Sequence, residues 1–198
     1  MCGPHYIEHA EQLKRVFLMR RFNKRITDYS LNIDLLHRCH VGRLGTVGRD
    51  GWPMVKPLNF VYHEGRIYFH CALEGEKLDD IRHDDRVCFE VDLPIAYVKG
   101  AAENACQATY LFRSVIIRGR ARLVSDRAEK ILALDCLMRK FQPGQTFAGY
   151  EEEMLDRTGV VRIDVEEMVG KESLGTGEIR EKVLAVLESG SPLPIILG

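Results

Sequence analysis

The spacing of apolar residues changes along this chain, and the changes mark its elements. From His5 to Met19 they recur at Tyr6, Ala10, Leu13 and Phe17, with Glu8, Glu11, Lys14 and Arg15 on other faces, which predicts a helix. Ser30 stands at an N-cap position before Leu31, Leu35, Leu36 and Cys39, and a second, short helix is expected from Leu31 to about His40. The period then falls to that of strands. Val41 to Val47, Pro53 to Tyr62 and Arg66 to Cys71 read as three strands, joined by the turn signals Arg49-Asp50-Gly51 and His63-Glu64-Gly65. Gly75 to His83 returns to helical spacing, with Leu78 and Ile81 inward and Glu76, Lys77, Asp79, Asp80 and Arg82 toward water. Arg86 to Asp92 is a fourth strand, and Leu93 to Thr109, with Pro94 and Gly100, reads as a long connection. Tyr110 to Val124 is a long fifth strand bent at Gly119. An amphipathic helix from Asp126 to Phe141, a strand from Gly159 to Val165, a helix from Glu178 to Glu188 and a proline-containing tail from Ser191 to Gly198 complete the pattern.

Strands joined by hairpins, with one helix inserted after the third, argue for a small antiparallel β-barrel, closed or split, with peripheral helices (α+β). No long βαβ alternation supports a doubly wound sheet. At 198 residues the chain is read as one domain: a helical extension over 1–19, the barrel over 20–165, and a C-terminal helix and tail over 166–198.

Charge narrows the function classes. A formal net charge of -1 gives no global field for nucleic acid, and no apolar run reaches membrane-spanning length. The segment from Met1 to Arg20 lacks a signal-peptide pattern, so a cytoplasmic protein is expected. Six cysteines (Cys2, Cys39, Cys71, Cys88, Cys106 and Cys136) are scattered singly and read as reduced thiols. Only His37-Arg38-Cys39-His40 resembles a metal-ligand cluster, and no second cluster would close its shell, so no metal is expected.

The candidate chemistry lies around two lysines. In the run from Gly65 to Lys77 a strand ends at His70, a loop carries Gly75, and Lys77 opens a helix. A helix N-terminus beside a glycine-bearing loop offers free N–H groups and partial positive charge, which suit a phosphate. Lys56 stands inside the apolar run Met54-Val55-Lys56-Pro57-Leu58-Asn59-Phe60, where it is either exposed or paired with an anion. Pro57 removes a ladder donor, so this strand is interrupted or at an edge, and its free backbone groups can meet the rim of a flat heteroaromatic ring. The basic run from Arg20 to Arg25 reads as a solvated connector or a phosphate neighbour.

These signals occur in a familiar order. Val41-Gly42-Arg43-Leu44-Gly45-Thr46-Val47, Gly51-Trp52-Pro53 with Lys56-Pro57-Leu58-Asn59-Phe60, and Ile67-Tyr68-Phe69-His70-Cys71-Ala72 with Gly75-Glu76-Lys77 resemble the pyridoxamine 5′-phosphate oxidase-related FMN-binding proteins. Cys106-Gln107-Ala108-Thr109-Tyr110, Arg113-Ser114-Val115-Ile116 and Gly119-Arg120-Ala121 resemble the branch related to 5-nitroimidazole resistance. The likeness spans roughly Arg20 to Met138.

The resemblance implies a split-barrel homodimer with FMN in each of two interface grooves. By position, Lys56 and Lys77 would hold the phosphate. Pro57, Leu58 and Asn59 would line the ring by their backbone, Phe69, His70 and Cys71 would flank it, and Ser114 would reach the phosphate end. Leu111, Val115 and Ile117 on one alternation of the fifth strand, and Phe112 and Ile116 on the other, give an apolar surplus that suits a twofold partner. Two departures stand out. Glu76 occupies the place of an arginine beside the phosphate lysine, so it either weakens phosphate binding or points outward. The oxidase's C-terminal Arg and His motif is missing, so vitamin B6 synthesis is not expected. His70 has two readings: a strand-end residue bonded to a backbone carbonyl, or a catalytic proton donor or substrate anchor over the flavin. The expected activity is FMN-dependent reduction of a small electrophile such as a nitroaromatic. A non-catalytic flavin store or sensor, and a haem-binding barrel with His70 as axial ligand, are the alternatives.

Overall fold

The computed structural model describes residues 21–101 and 104–197. In chain order the elements are β1 (Arg25–Ile26), α1 (Tyr29–Arg38), β2 (Val41–Val47), β3 (Pro53–Asn59), β4 (Val61–His63), β5 (Arg66–Cys71), α2 (Glu76–His83), β6 (Arg86–Val98), β7 (Thr109–Leu123), α3 (Arg127–Phe141), α4 (Glu152–Arg157), β8 (Gly159–Ser173), α5 (Gly177–Ser189) and β9 (Ile195–Leu197). The helix expected from His5 to Met19 lies outside the described residues. Among the described residues no helix is long and apolar enough to cross a membrane.

The strands form one sheet in the order β3-β2-β6-β7-β8-β5-β4, antiparallel at every step along this path. Its two end strands, β3 and β4, are parted in the chain by Phe60 alone. The strand expected over Pro53 to Tyr62 is therefore two. One half pairs with β2 and the other with β5, so the sheet curls back on itself and meets at a single residue. The arrangement is consistent with a split barrel. Phe60 is fully buried there, edge-on to Phe89 with ring centroids 4.9 Å apart. Burying a phenylalanine is worth about 1.5–3 kcal/mol, enough to fix the junction.

Alternation builds the core. Leu44 faces Phe89 and Phe89 faces Ile117 across β2, β6 and β7, and opposed residues share a face. All three are at most 1% exposed. Gly42 makes room for this row, since a Cβ there would lie 2.1 Å from the Phe89 ring. The bend expected at Gly119 is a slip in register between β7 and β8, and a Cβ at Gly119 would meet the Asp164 carbonyl at 2.2 Å.

Outside the barrel, α3 covers Val61, Tyr68, Val124 and Val160 with Ala133, Cys136 and Leu137. Beneath it, buried Arg162 donates to Glu129 at 2.7 Å, and the Tyr68 hydroxyl donates to the same carboxylate oxygen at 2.8 Å. Burial and Glu129 together push the Tyr68 hydroxyl up to about 12. A third cluster joins Ile95, Ala96, Val98, Leu111 and Leu174 to Val183 and Leu187 of α5. It draws β6 on through Pro94 to Val98 and β8 on to Ser173, both well beyond the ends their sequences suggest. Pro94 is accommodated because the β6–β7 register shifts between Pro94 and Ala96. The tail also supplies β9, parallel to the end of β6, and α4 forms where no element was expected. Asp28, not Ser30, caps α1 by accepting from the Ser30 N–H at 2.9 Å, and Asp126 caps α3 as expected.

Candidate functional site

The end strand β3 meets the start of α2 through one ion pair. Lys56 lies opposite Leu44 in the β2–β3 register, so its side chain starts from the inner face of the sheet. Being on an end strand, it remains partly open to water and meets Glu76: Lys56 Nζ is 2.5 Å from Glu76 Oε2. Lys77 follows in the first turn of α2, its Nζ 5.0 Å from the centroid of the Phe69 ring. Phe69 is fully buried on the inner face, and Cys71 follows two residues later on the same alternation. Burial raises the Cys71 thiol above its usual range, and the nearby Lys77 charge opposes the rise. Lys77 therefore lies beside Phe69 and Cys71, and Lys56 reaches Glu76, the chain neighbour of Lys77.

The position of α2 is set from below. Thr46 Oγ1 on β2 donates to Asp80 Oδ2 at 2.7 Å, and both residues are buried, at 3% and 5% exposure. The helical pattern assigned Asp80 to water. It points inward because Leu78 and Ile81 place that flank of the helix against the core, where Thr46 supplies the bond a buried carboxylate needs. At the open end of the helix, Gly75 has φ 124° and no side chain caps the first turn. That positive φ is glycine territory, and it leaves the helix N-terminus open beside Lys77.

The other predicted residues divide by face. Leu58 is half-buried against the core, while Pro57 and Asn59 alternate outward, and Asn59 Nδ2 donates to the His40 carbonyl at 3.2 Å. The far edge of β3 has no strand partner among the described residues, so its peptide groups stand open as the Pro57 argument anticipated. His70 turns to the outer face opposite Val160 and is exposed. Among the described residues its side chain makes no hydrogen bond, so the carbonyl-bonded role finds no partner here. Ser114 lies on the outer face of β7, between Asp92 and Lys171. It is three strand positions from β3, roughly 14 Å along the sheet. A single chain does not bring it to the lysines.

Two charged groupings escaped the sequence reading. On the outer face, Arg43 of β2 bonds to both Glu90 and Asp92 of β6, which holds its guanidinium firmly charged, while burial raises the Glu90 carboxyl. At the barrel junction, Lys140 of α3 donates to the carbonyls of Leu36 and Cys39 at 3.0 and 2.6 Å, with Nζ 3.9 Å from the Phe60 centroid. Its place was legible: Lys140 continues the buried stripe of Ala133, Cys136 and Leu137. His37 and His40 contact the Tyr62 and Phe141 rings edge-on, and among the described residues no group of three potential metal ligands forms.

The model of the family described as pyridoxamine 5′-phosphate oxidase matches residues 32–172. Among solved structures, the chain is similar to a candidate 5-nitroimidazole antibiotic resistance protein from Bacteroides thetaiotaomicron, at 25% identity and TM-score 0.66 over 75% of this chain and 86% of that one. It is similar to the flavocytochrome Anf3 from Azotobacter vinelandii at 25% identity and TM-score 0.72, over 87% and 79% of the two chains. It also shares its fold with an FAD and haem binding protein from Mycobacterium smegmatis, at 21% identity and TM-score 0.70 over 82% and 80%. No curated protein matches the chain.

Proposed function

Because the chain belongs to the pyridoxamine 5′-phosphate oxidase family, we propose that it is an FMN-dependent oxidoreductase that works as a homodimer and reduces a small electrophile, such as a nitroaromatic compound. The observation that carries this reading is Lys77 over the Phe69 ring in the first turn of α2, with Lys56 of β3 held to the adjoining Glu76. Two ammonium groups and an uncapped helix N-terminus suit a phosphate, and an unpaired strand edge suits the donors and acceptors along a flavin ring. A flavin, when bound, supplies the hydride chemistry that the side chains lack.

In this reading Lys56 and Lys77 grip the phosphate, the open edge of β3 at Pro57, Leu58 and Asn59 orients the ring, and Phe69 and Cys71 wall it from water. Ser114 serves the groove of a second copy, since it faces outward on β7 with Ile116, which is 36% exposed. A twofold contact between these outer faces would cover Val41, Val47 and Ile116 and give each groove its second wall. His70, exposed on the outer face of β5, would reach the substrate from outside the Phe69–Cys71 wall, where it donates a proton to it or anchors it. The nitroaromatic class rests on the likeness to the Bacteroides thetaiotaomicron protein.

Absorption of the purified protein, chromatography of the released cofactor and a nitroaromatic reduction assay test the proposal together. The expected result is a flavin spectrum, FMN as the released species, and turnover. Recovery of FAD alone, or no affinity for added FMN, refutes the cofactor; bound FMN without turnover on any electrophile makes the protein a flavin store or sensor. The likeness to a flavocytochrome favours one second reading, haem with His70 as axial ligand, which a Soret band would reveal.

A further inference from the structure

We propose that Glu76 is an internal anion that occupies the phosphate position in the flavin-free protein, so that FMN must displace it and is thereby held less tightly and less selectively than the two lysines alone would allow. The inference rests on the reading of Lys56 and Lys77 as the phosphate cations. Glu76 is an exposed residue whose carboxylate nevertheless lies on Lys56 at 2.5 Å. Among the described residues no carboxylate pairs with Lys77, whose Nζ stands over the Phe69 ring.

Charge inventory gives the consequence. Two ammonium groups less one carboxylate leave a single net positive charge at the start of α2. A phosphate monoester carries about −1.5 to −2 near neutral pH, so with Glu76 in place the loaded site would be over-neutralised. The helix cannot withdraw Glu76 as a body, because Asp80, one turn on, is fastened to Thr46. The side chain can leave alone: it is 58% exposed, and a rotamer change returns its carboxylate to water. FMN therefore competes with a tethered anion at high effective concentration. Riboflavin, which has no phosphate, does not contest Lys56.

Flavin-fluorescence titration of the full-length protein at low salt, with FMN and riboflavin as ligands, separates the possibilities. Glu76→Gln removes the charge and keeps the size. It should tighten FMN about three- to tenfold, a range set by a partly exposed pair plus relief of like-charge repulsion, and leave riboflavin within about twofold. The gain should shrink as salt screens the pair. A control titration with Lys77→Gln should weaken FMN and spare riboflavin. If it does so while Glu76→Gln leaves FMN unchanged, Glu76 is not the competitor and the inference falls alone. If Lys77→Gln leaves FMN unchanged, the phosphate lies elsewhere and both readings fall. Glu76→Ala, checked by melting, repeats the test without the amide.

Discussion

Replacing Thr46 with valine isolates one bond that holds the candidate site in place. Valine keeps the branched shape and removes only the hydroxyl, so Asp80 Oδ2 loses its 2.7 Å donor while remaining 95% buried. A hydrogen bond to a charged group contributes about 1.5–3 kcal/mol, and the loss sits at the upper end where the stranded partner stays out of water. For a chain of this length each kcal/mol moves the melting temperature by about 2–4 °C, so Thr46→Val should melt roughly 3–12 °C lower. The site should respond as well, because Asp80 lies on the same helix as Lys77. FMN affinity should fall even where the variant is fully folded. A double-mutant cycle with Asp80→Leu gives the coupling, which should be at least about 1 kcal/mol. Differential scanning calorimetry with and without FMN reads both effects. A Thr46→Val melt within about 1 °C of wild type, or additive single and double variants, would refute the claim that this bond anchors α2.

Three further outcomes are expected. His70→Ala should melt within about 1 °C of wild type and retain FMN, because the residue is exposed and its side chain makes no hydrogen bond among the described residues, yet lose about a hundredfold in nitroaromatic turnover; full activity in the folded variant removes it from the mechanism. Ile116→Lys, on the exposed outer face of β7, should convert a sedimenting dimer to monomer and weaken FMN about tenfold or more; a variant that stays dimeric shows that the partner binds elsewhere. Burial pulls the Lys140 ammonium down to about 8 from 10.5, so between those values the unfolded chain binds more protons and stability rises with pH. Denaturant titrations should therefore show wild type gaining on Lys140→Met from pH 8 toward 10.5, and a flat difference would contradict the buried charge.

Local pattern was legible wherever one face of an element was buried and the other wet. The turn at His63-Glu64-Gly65 placed the start of β5, whose run Ile67-Tyr68-Phe69 is buried on both faces, and Asp126 announced α3. What sequence could not show came from contacts between distant segments. Pro94 reads as a strand end unless the neighbouring register is known to slip there, and β9 exists because Leu193 and Ile195 pack beside the α5 cluster. The same limit applied at the site. Lys56 and Lys77 were identifiable as cations without partners in their own segments, whereas the Lys56–Glu76 pair and the buried Thr46–Asp80 bond join strands to a helix that lies beyond two turns of chain.

The junction at Phe60 has a consequence for how this chain can change length. Residues 53–63 serve as the first and the last stave of the same sheet, so the β2 ladder and the β5 ladder are not independent. Deleting or inserting one residue between Pro53 and His63 cannot be absorbed by sliding a single strand. It must rotate either Lys56 or Val61 to the opposite face, because side chains change sides at every step. The hairpin tips at 48–52 and 64–65 are under no such coupling. Tolerated insertions should therefore collect at those tips, while the eleven-residue span between them behaves as a fixed gauge that keeps the lysine beside the start of α2.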